Sequence, residues 1–248
     1  MTLNIKSLSC GYDKKAITFD LNLNLNGGEL LVLAGPNGSG KTSILKTIGG
    51  LIPPIDGSIE IGGRNIRGMK TVQRAGLISF LFQAKESPWP FTVKETISQG
   101  RFYNRGWFGS DTANDRKTVE RAIEKANLEK LSHRLITELS GGELQRVLLA
   151  RCIAQDTKFL LLDEPVNNLD PKYSYMIMDL ISDLAKEGRG IILSLHDLRL
   201  ASGFATEIAL LSAEGKIAAM GSPSDVLSSE NIGSVYEIPE DLAKLLIL

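Results

Sequence analysis

From Ile17 to Leu25 the chain alternates strictly between apolar and polar residues, Ile-Thr-Phe-Asp-Leu-Asn-Leu-Asn-Leu. That period of two predicts a strand with one solvated face, the kind found in antiparallel sheets. The first six residues, Met1 to Lys6, alternate in the same way. Three other stretches, Leu30 to Leu33, Phe159 to Leu162 and Ile191 to Leu195, are nearly continuous apolar runs. Bounded by turn residues, they predict strands covered on both faces and hence a parallel core sheet. Ser58 to Ile61 and Leu77 to Leu81 are shorter strand-like pieces that complete the sheets. Between Ser87 and Ala154 the strand signals give way to helical periodicity in Thr92 to Ser98, Thr112 to Asn127 and Gly141 to Ala154. A mostly helical subdomain at residues 87–155 is therefore expected, interrupted by Pro88-Trp89-Pro90 and by the glycine- and aromatic-bearing loop Arg101 to Asp111. Exposed aromatics there would suit a docking surface. Glu207 to Leu211 and Lys216 to Met220, on either side of Ala213-Glu214-Gly215, predict a hairpin. The fold class is α/β.

Composition narrows the function classes. With 28 basic and 29 acidic residues the net charge is −1, so nothing draws the chain electrostatically to nucleic acid. Its apolar runs fall far short of the ~20 residues of a spanning helix, and the N-terminus has no basic segment followed by an apolar block. The expectation is a cytosolic protein of one domain, residues 1–248, that does not itself cross a bilayer. Cys10 and Cys152 belong to no CxxC pair and read as reduced packing residues.

Chemistry enters where the apolar runs end. After Leu30 to Leu33 comes Gly35-Pro36-Asn37-Gly38-Ser39-Gly40-Lys41-Thr42, then a helix-like stretch from Ser43 to Ile48. Strand, glycine loop and helix in this order form a phosphate cradle: backbone N–H groups wrap a triphosphate, and the helix points its positive end at it. Lys41 would neutralise β- and γ-phosphate oxygens and the Thr42 hydroxyl would ligate Mg²⁺. The run Phe159 to Leu162 ends in Asp163-Glu164, which delivers one carboxylate to the Mg²⁺ shell and a second as general base for the attacking water. His196, following Ile191 to Leu195, could donate to the γ-phosphate, Gln83 could touch both the Mg²⁺ shell and the water, and Tyr12 could stack on adenine. Each also has an ordinary reading: a strand end turned by Pro165, a solvent-facing histidine, a polar terminus and a packed or exposed tyrosine.

Leu139-Ser140-Gly141-Gly142-Glu143 opens an amphipathic helix. Ser140 can cap it, and Gly141 and Gly142 allow an anion to approach free N–H groups. It is a second phosphate site. Two such sites on opposite faces of one ATP require two subunits, so a head-to-tail homodimer sharing two ATP molecules is expected.

These stations, in this order, resemble the ATP-binding subunits of ABC transporters over essentially the whole chain. Tyr12 stands at the adenine-stacking loop, GPNGSGKT at the Walker A loop, Gln83 at the Q-loop and LSGGE at the signature. FLLLDE stands at Walker B, Asn168-Leu169-Asp170 at the D-loop and His196 at the H-loop. The resemblance implies a P-loop NTPase with a RecA-like core, an antiparallel β-subdomain and a helical subdomain that receives polytopic permease subunits. It also implies ATP and Mg²⁺ as ligands, a place on the cytoplasmic face of the membrane, and a substrate-binding protein as an indirect partner. Val93 to Phe102, Arg105 to Gly109, His196 to Ala201 and Ala219 to Pro223 are similar to importers of ferric siderophores, haem and cobalamin. A soluble ABC ATPase acting in assembly or scaffolding is the alternative. One departure is Val166-Asn167-Asn168, where many relatives carry Thr-Ser-Ala.

Overall fold

The alternating segment becomes one edge of an antiparallel sheet, but its in-and-out pattern holds only from Leu21 to Leu25: at Asp20, φ +49°, the register shifts, so that Thr18 is buried and Phe19 is 42% exposed. In the computed structural model, which describes residues 1–13, 15–82, 90–104 and 112–247, β1 (Thr2–Tyr12) and β2 (Lys15–Asn26) pair from Thr2 opposite Asn26 to Tyr12 opposite Lys15. β3 (Leu30–Ala34) leads through the glycine loop into α1 (Lys41–Ile48), followed by β4 (Asp56–Ile61) and β5 (Arg64–Asn65). α2 (Thr71–Ala75) and β6 (Ile78–Leu81) precede the helices α3 (Val93–Ser98), α4 (Ala113–Lys125) and α5 (Gly141–Ala154). Then come β7 (Phe159–Leu162), α6 (Pro171–Lys186), β8 (Gly190–Ser194), α7 (Leu198–Phe204), β9 (Glu207–Leu211) and β10 (Ile217–Gly221). Three short helices follow, α8 (Pro223–Val226), α9 (Ser229–Tyr236) and α10 (Glu240–Ile247).

Among the described residues the strands form two sheets, β2-β1-β4-β5 and β10-β9-β3-β8-β7-β6. The first is antiparallel. In the second, β6 to β9 and β3 run parallel, and only β10 returns antiparallel, as the hairpin pattern predicts. The period of two explains how the continuous apolar runs serve two cores at once. Leu30, Val32, Leu160, Leu162, Ile191 and Leu193 face one core, with the helices from α3 to α7. Leu31, Leu33, Phe159, Leu161 and Ile192 face the other, with the antiparallel sheet and Ile44, Leu45 and Ile48 of α1. Each such leucine, removed from water, contributes about 1.5–3 kcal/mol. α1 is therefore clamped between the two sheets, which fixes the direction of its N-terminus.

The helical segment enters after β6 and leaves before β7, two neighbouring strands. Gln155, just beyond α5, donates to the carbonyls of Ala75 (2.7 Å) and Ile78 (3.0 Å) and so ties the end of α5 to the sheet. Within the segment, buried Arg101 donates to Asp115 Oδ1 at 2.8 Å and to the Ala154 carbonyl at 3.0 Å. Thr112, whose hydroxyl donates to Asp115 Oδ2, and then Arg101 hold the Asp115 carboxyl far below the usual carboxylate range. Gln83, Pro88-Trp89 and the aromatic residues 105–109 lie outside the described residues.

Candidate active site

Because β3, β8 and β7 are neighbours and parallel, their C-terminal ends open on one rim, the place where parallel α/β sheets hold ligands. The glycine loop leaves β3 there. Gly35 has φ +141°, and a Cβ on it would lie 2.5 Å from the Leu211 carbonyl oxygen; Gly40 has φ +93°, and a Cβ would lie 2.3 Å from Thr18 Cγ2. Both glycines are demanded by backbone conformation and by their neighbours, apart from any ligand. No side chain caps α1 at Gly40, so no side-chain acceptor takes up its first N–H groups there.

Lys41 is buried, and its ammonium donates to the carbonyls of Gly35 (2.7 Å) and Pro36 (2.9 Å). Burial pushes its pKa down, opposed by the negative charges of Glu164 and Asp163. The Thr42 hydroxyl donates to Asp163 Oδ1 at 3.0 Å. Glu164 adopts φ +49°, uncommon for a side-chain-bearing residue. Its Oε1 lies 2.9 Å from His196 Nε2, and its Oε2 accepts from Asn167 Nδ2 at 2.6 Å. A cleft of about 240 Å³ gathers Lys41, Thr42, Ser43, Glu164 and His196 with Asn37, Gly38 and Gly40. Pro36 and Asn37 also border a larger cavity beside His196, while Ser39 is fully buried.

Tyr12 is 44% exposed at the end of β1, in the hairpin whose Ile17 and Thr18 abut Gly40. Ser140 caps α5 in a reciprocal arrangement: its hydroxyl accepts from the Glu143 N–H, and the Glu143 carboxylate accepts from the Ser140 N–H at 2.9 Å, which lowers the Glu143 pKa. The two glycines expected to admit an anion differ. Gly141 faces open space, whereas a Cβ on Gly142 would strike the Tyr173 ring at 2.9 Å. Tyr173 belongs to the first turn of α6, where Asp170 is the cap and accepts from the Tyr173 N–H at 3.1 Å. The signature and Asp170 thus share one neighbourhood, and neither borders the cleft around Lys41. Val166 packs against the helical-side core.

The donor set suits Mg²⁺: the Thr42 hydroxyl and the Asp163 carboxylate are hard oxygen ligands, few in number, as for an ion held partly by substrate phosphates. Two residues that touch the acidic pair were not read from sequence as part of the site. Ser194 donates to Asp163 Oδ1 (2.9 Å) and accepts the Glu164 N–H (2.9 Å). Asn167 reaches Glu164 across a turn. Ser194 left a faint signal as the one polar residue in an apolar run; the role of Asn167 has no local signature.

Residues 18–167 match the family model described as ABC transporter, a span holding the glycine loop, the signature and Asp163-Glu164. The chain belongs to the ABC transporter family. It is an ATP-binding, ATP-hydrolysing subunit of that family. A probable siderophore transport system ATP-binding protein of Bacillus subtilis (strain 168) is 34% identical over 95% of this chain and 86% of its own length. Other curated relatives are named as hemin and cobalamin import ATP-binding proteins. A solved structure described as an inward-facing metal-chelate type ABC transporter, of putative assignment in its description, superposes with TM-score 0.84 at 29% identity, covering 96% of this chain and 90% of that one. A dimeric, post-hydrolysis ATP-binding cassette bound to ADP and Pi superposes with TM-score 0.77 at 27% identity, covering 89% and 98%.

Proposed function

We propose that the chain is the ATP-hydrolysing subunit of an importer for an iron chelate, haem or cobalamin, working at the cytoplasmic face of the membrane. The convergence of Lys41, Thr42, Asp163, Glu164 and His196 on one strand-end rim carries the hydrolytic part of this reading, and similarity to siderophore, hemin and cobalamin import ATP-binding proteins supports the cargo class. The loop N–H groups and the N-terminus of α1 bind the phosphate tail. Lys41, resting on two neutral carbonyls, exchanges them for the stronger charge-assisted bonds to phosphate oxygens. Thr42 and Asp163, with Gln83, would hold Mg²⁺, which neutralises charge on the phosphates. Glu164 accepts the proton of the attacking water, and His196, already at hydrogen-bond distance from Glu164, steadies the water and the γ-phosphate. Tyr12 stacks on adenine.

Ser140, Gly141, Gly142 and Glu143 serve the ATP of a second copy, in a head-to-tail homodimer with Asp170 at the contact. The open face of Gly141 supports this reading. The whole chain is one ABC ATPase domain, and residues 87–155 form the helical subdomain that meets a polytopic permease; Phe91 and Phe102 are exposed there. A substrate-binding protein acts only through that permease, and nucleic acid has no part.

Glu164→Gln is the test, read by sedimentation and phosphate release. The variant is expected to keep ATP, to lose turnover by about 10²–10⁴-fold, and to sediment as a dimer with Mg-ATP. Full hydrolysis by the variant removes Glu164 from the role of base. Co-purification with a polytopic membrane protein supports the importer; a soluble assembly partner in its place supports the scaffolding role.

A further inference from the structure

We propose that Ser194 is a positioning residue that locks the two acidic residues of the site to each other and to the sheet. The proposal rests on the reading of Asp163 and Glu164 given above. Ser194 ends β8, the strand lying between β3, which leads into the glycine loop, and β7, which leads into Asp163. Its side chain is fully buried. A hydroxyl has one proton and lone pairs to accept with, and both capacities are used. Ser194 Oγ donates to Asp163 Oδ1 at 2.9 Å and accepts the Glu164 N–H at 2.9 Å. The same Asp163 oxygen accepts from Thr42 at 3.0 Å, so hydroxyls from α1 and β8 converge on one carboxylate oxygen.

Geometry explains why such a device is needed. Asp163 still belongs to the sheet, since its N–H donates to the Leu81 carbonyl at 3.0 Å. Glu164 has left it with φ +49°, a conformation that surrounding contacts must hold in place. The bond from its N–H to Ser194 is a tether at that turn, beside the bond from the Asn167 N–H to the Glu164 carbonyl, and it helps to set where the Glu164 side chain starts toward His196 and Asn167. Without the hydroxyl, Asp163 Oδ1 loses one of its two hydroxyl donors and keeps Thr42, and the Glu164 N–H loses its bond to Ser194 in a partly buried place. The fault would fall on orientation in the hydrolysing state, while the backbone cradle for the phosphates stays intact.

The experiment compares wild type, Ser194→Ala and Ser194→Thr, the last restoring a hydroxyl. Each is measured for steady-state hydrolysis, for equilibrium ATP binding with and without Mg²⁺, and for thermal midpoint. Ser194→Ala is expected to lower kcat roughly ten- to a hundredfold, the scale of one lost bond to a charged group. It is expected to leave ATP affinity without Mg²⁺ unchanged and to require a higher Mg²⁺ concentration for tight binding. Ser194→Thr is expected to recover both properties. Wild-type kcat and Mg²⁺ dependence in Ser194→Ala overturn the proposal. Equal loss of ATP binding with and without Mg²⁺, together with a collapsed midpoint in both variants, also overturns it, because that pattern marks a merely structural serine. Glu164→Gln run in parallel separates the two levels: a fully active Glu164→Gln fails the reading of the base, whereas an inactive Glu164→Gln beside a fully active Ser194→Ala fails only Ser194.

Discussion

The rim of the parallel sheet and the helical segment between β6 and β7 are built on different rules. In the helical segment each of the three helices begins with the same local device, a capping box: Thr92 with Glu95, Thr112 with Asp115, and Ser140 with Glu143. Among its described residues, from 90 to 154, only Asn127 has a positive φ. At the rim, positive φ occurs at Gly35, Gly38, Gly40, Glu164 and Asn168. Its defining bonds span long stretches of chain: Thr42 to Asp163, Asp163 to Ser194 and Glu164 to His196. Local sequence sets one region, and sheet topology assembles the other. Ser140 and Glu143 do at α5 what Thr92 and Glu95 do at α3, so the capping bonds by themselves only build a helix, and a further role for Ser140 must show in turnover.

The largest effect is expected where the helical segment departs from its local rules. Arg101 and Asp115 form a buried pair, and Asp115→Asn leaves the Arg101 charge without its counter-charge; a loss of about 3–5 kcal/mol is expected by chemical denaturation. The sign with pH follows from the depressed carboxyl. Its contribution is complete above the ordinary value of 3.8 and is lost as pH falls from there toward the lower folded value, so the stabilities of wild type and Asp115→Asn should converge in strong acid. A difference that persists unchanged at low pH contradicts this account.

Lys41→Ala comes next and belongs to the rim. Losing one charge that faces the phosphates should weaken ATP binding by about 1.5–3 kcal/mol, seen as a ten- to hundredfold rise in Kd with little change in fold. Unchanged affinity would mean that Lys41 stays on the Gly35 and Pro36 carbonyls.

The two signature glycines differ in what surrounds them. Gly142→Ala should cost about 1–3 kcal/mol of stability, because its Cβ meets the Tyr173 ring. Gly141→Ala should be neutral or stabilising by up to about 1 kcal/mol, since nothing lies within 4 Å and alanine favours the helix. If Gly141 serves a second copy, ATP turnover falls in this stable variant; full turnover would leave it only a helix residue. The smallest effect is at the caps. Ser140→Ala and Thr92→Ala should each cost about 1 kcal/mol by thermal melting. Only Ser140→Ala should also slow turnover, and an equal slowing by Thr92→Ala would assign both effects to helix stability.

Periodicity carried most of the architecture into the sequence. The alternation sufficed to place β2 in an antiparallel sheet, though not to show the shift at Asp20 that buries Thr18 and exposes Phe19, and the apolar runs sufficed for β3, β7 and β8 in a parallel one. Local patterns extend over a few residues, and they specify an element's type and the residue types at its ends. The loop GPNGSGKT, Asp163-Glu164 and His196 were legible for that reason: each stands where an apolar run stops. Gly142 was read as room for an anion, although its small size is also demanded by Tyr173, a residue thirty-one positions away. That contact is invisible until α5 and α6 are packed.

Side-chain period and local hydrogen bonding were enough for most of the strands, for the Ser140 cap and for the inventory of charged and hydroxyl groups at strand ends; the short β5 and the caps at Thr92 and Thr112 came only with the fold. Which of the charged and hydroxyl groups meet is set by packing. The strand order β3-β8-β7 sets Ser194 between the glycine loop and the acidic pair, and no local pattern encodes that order. It is fixed by burying two apolar faces at once, a property of the whole sheet. The same packing turns a serine in an apolar run into the bridge between Asp163 and Glu164.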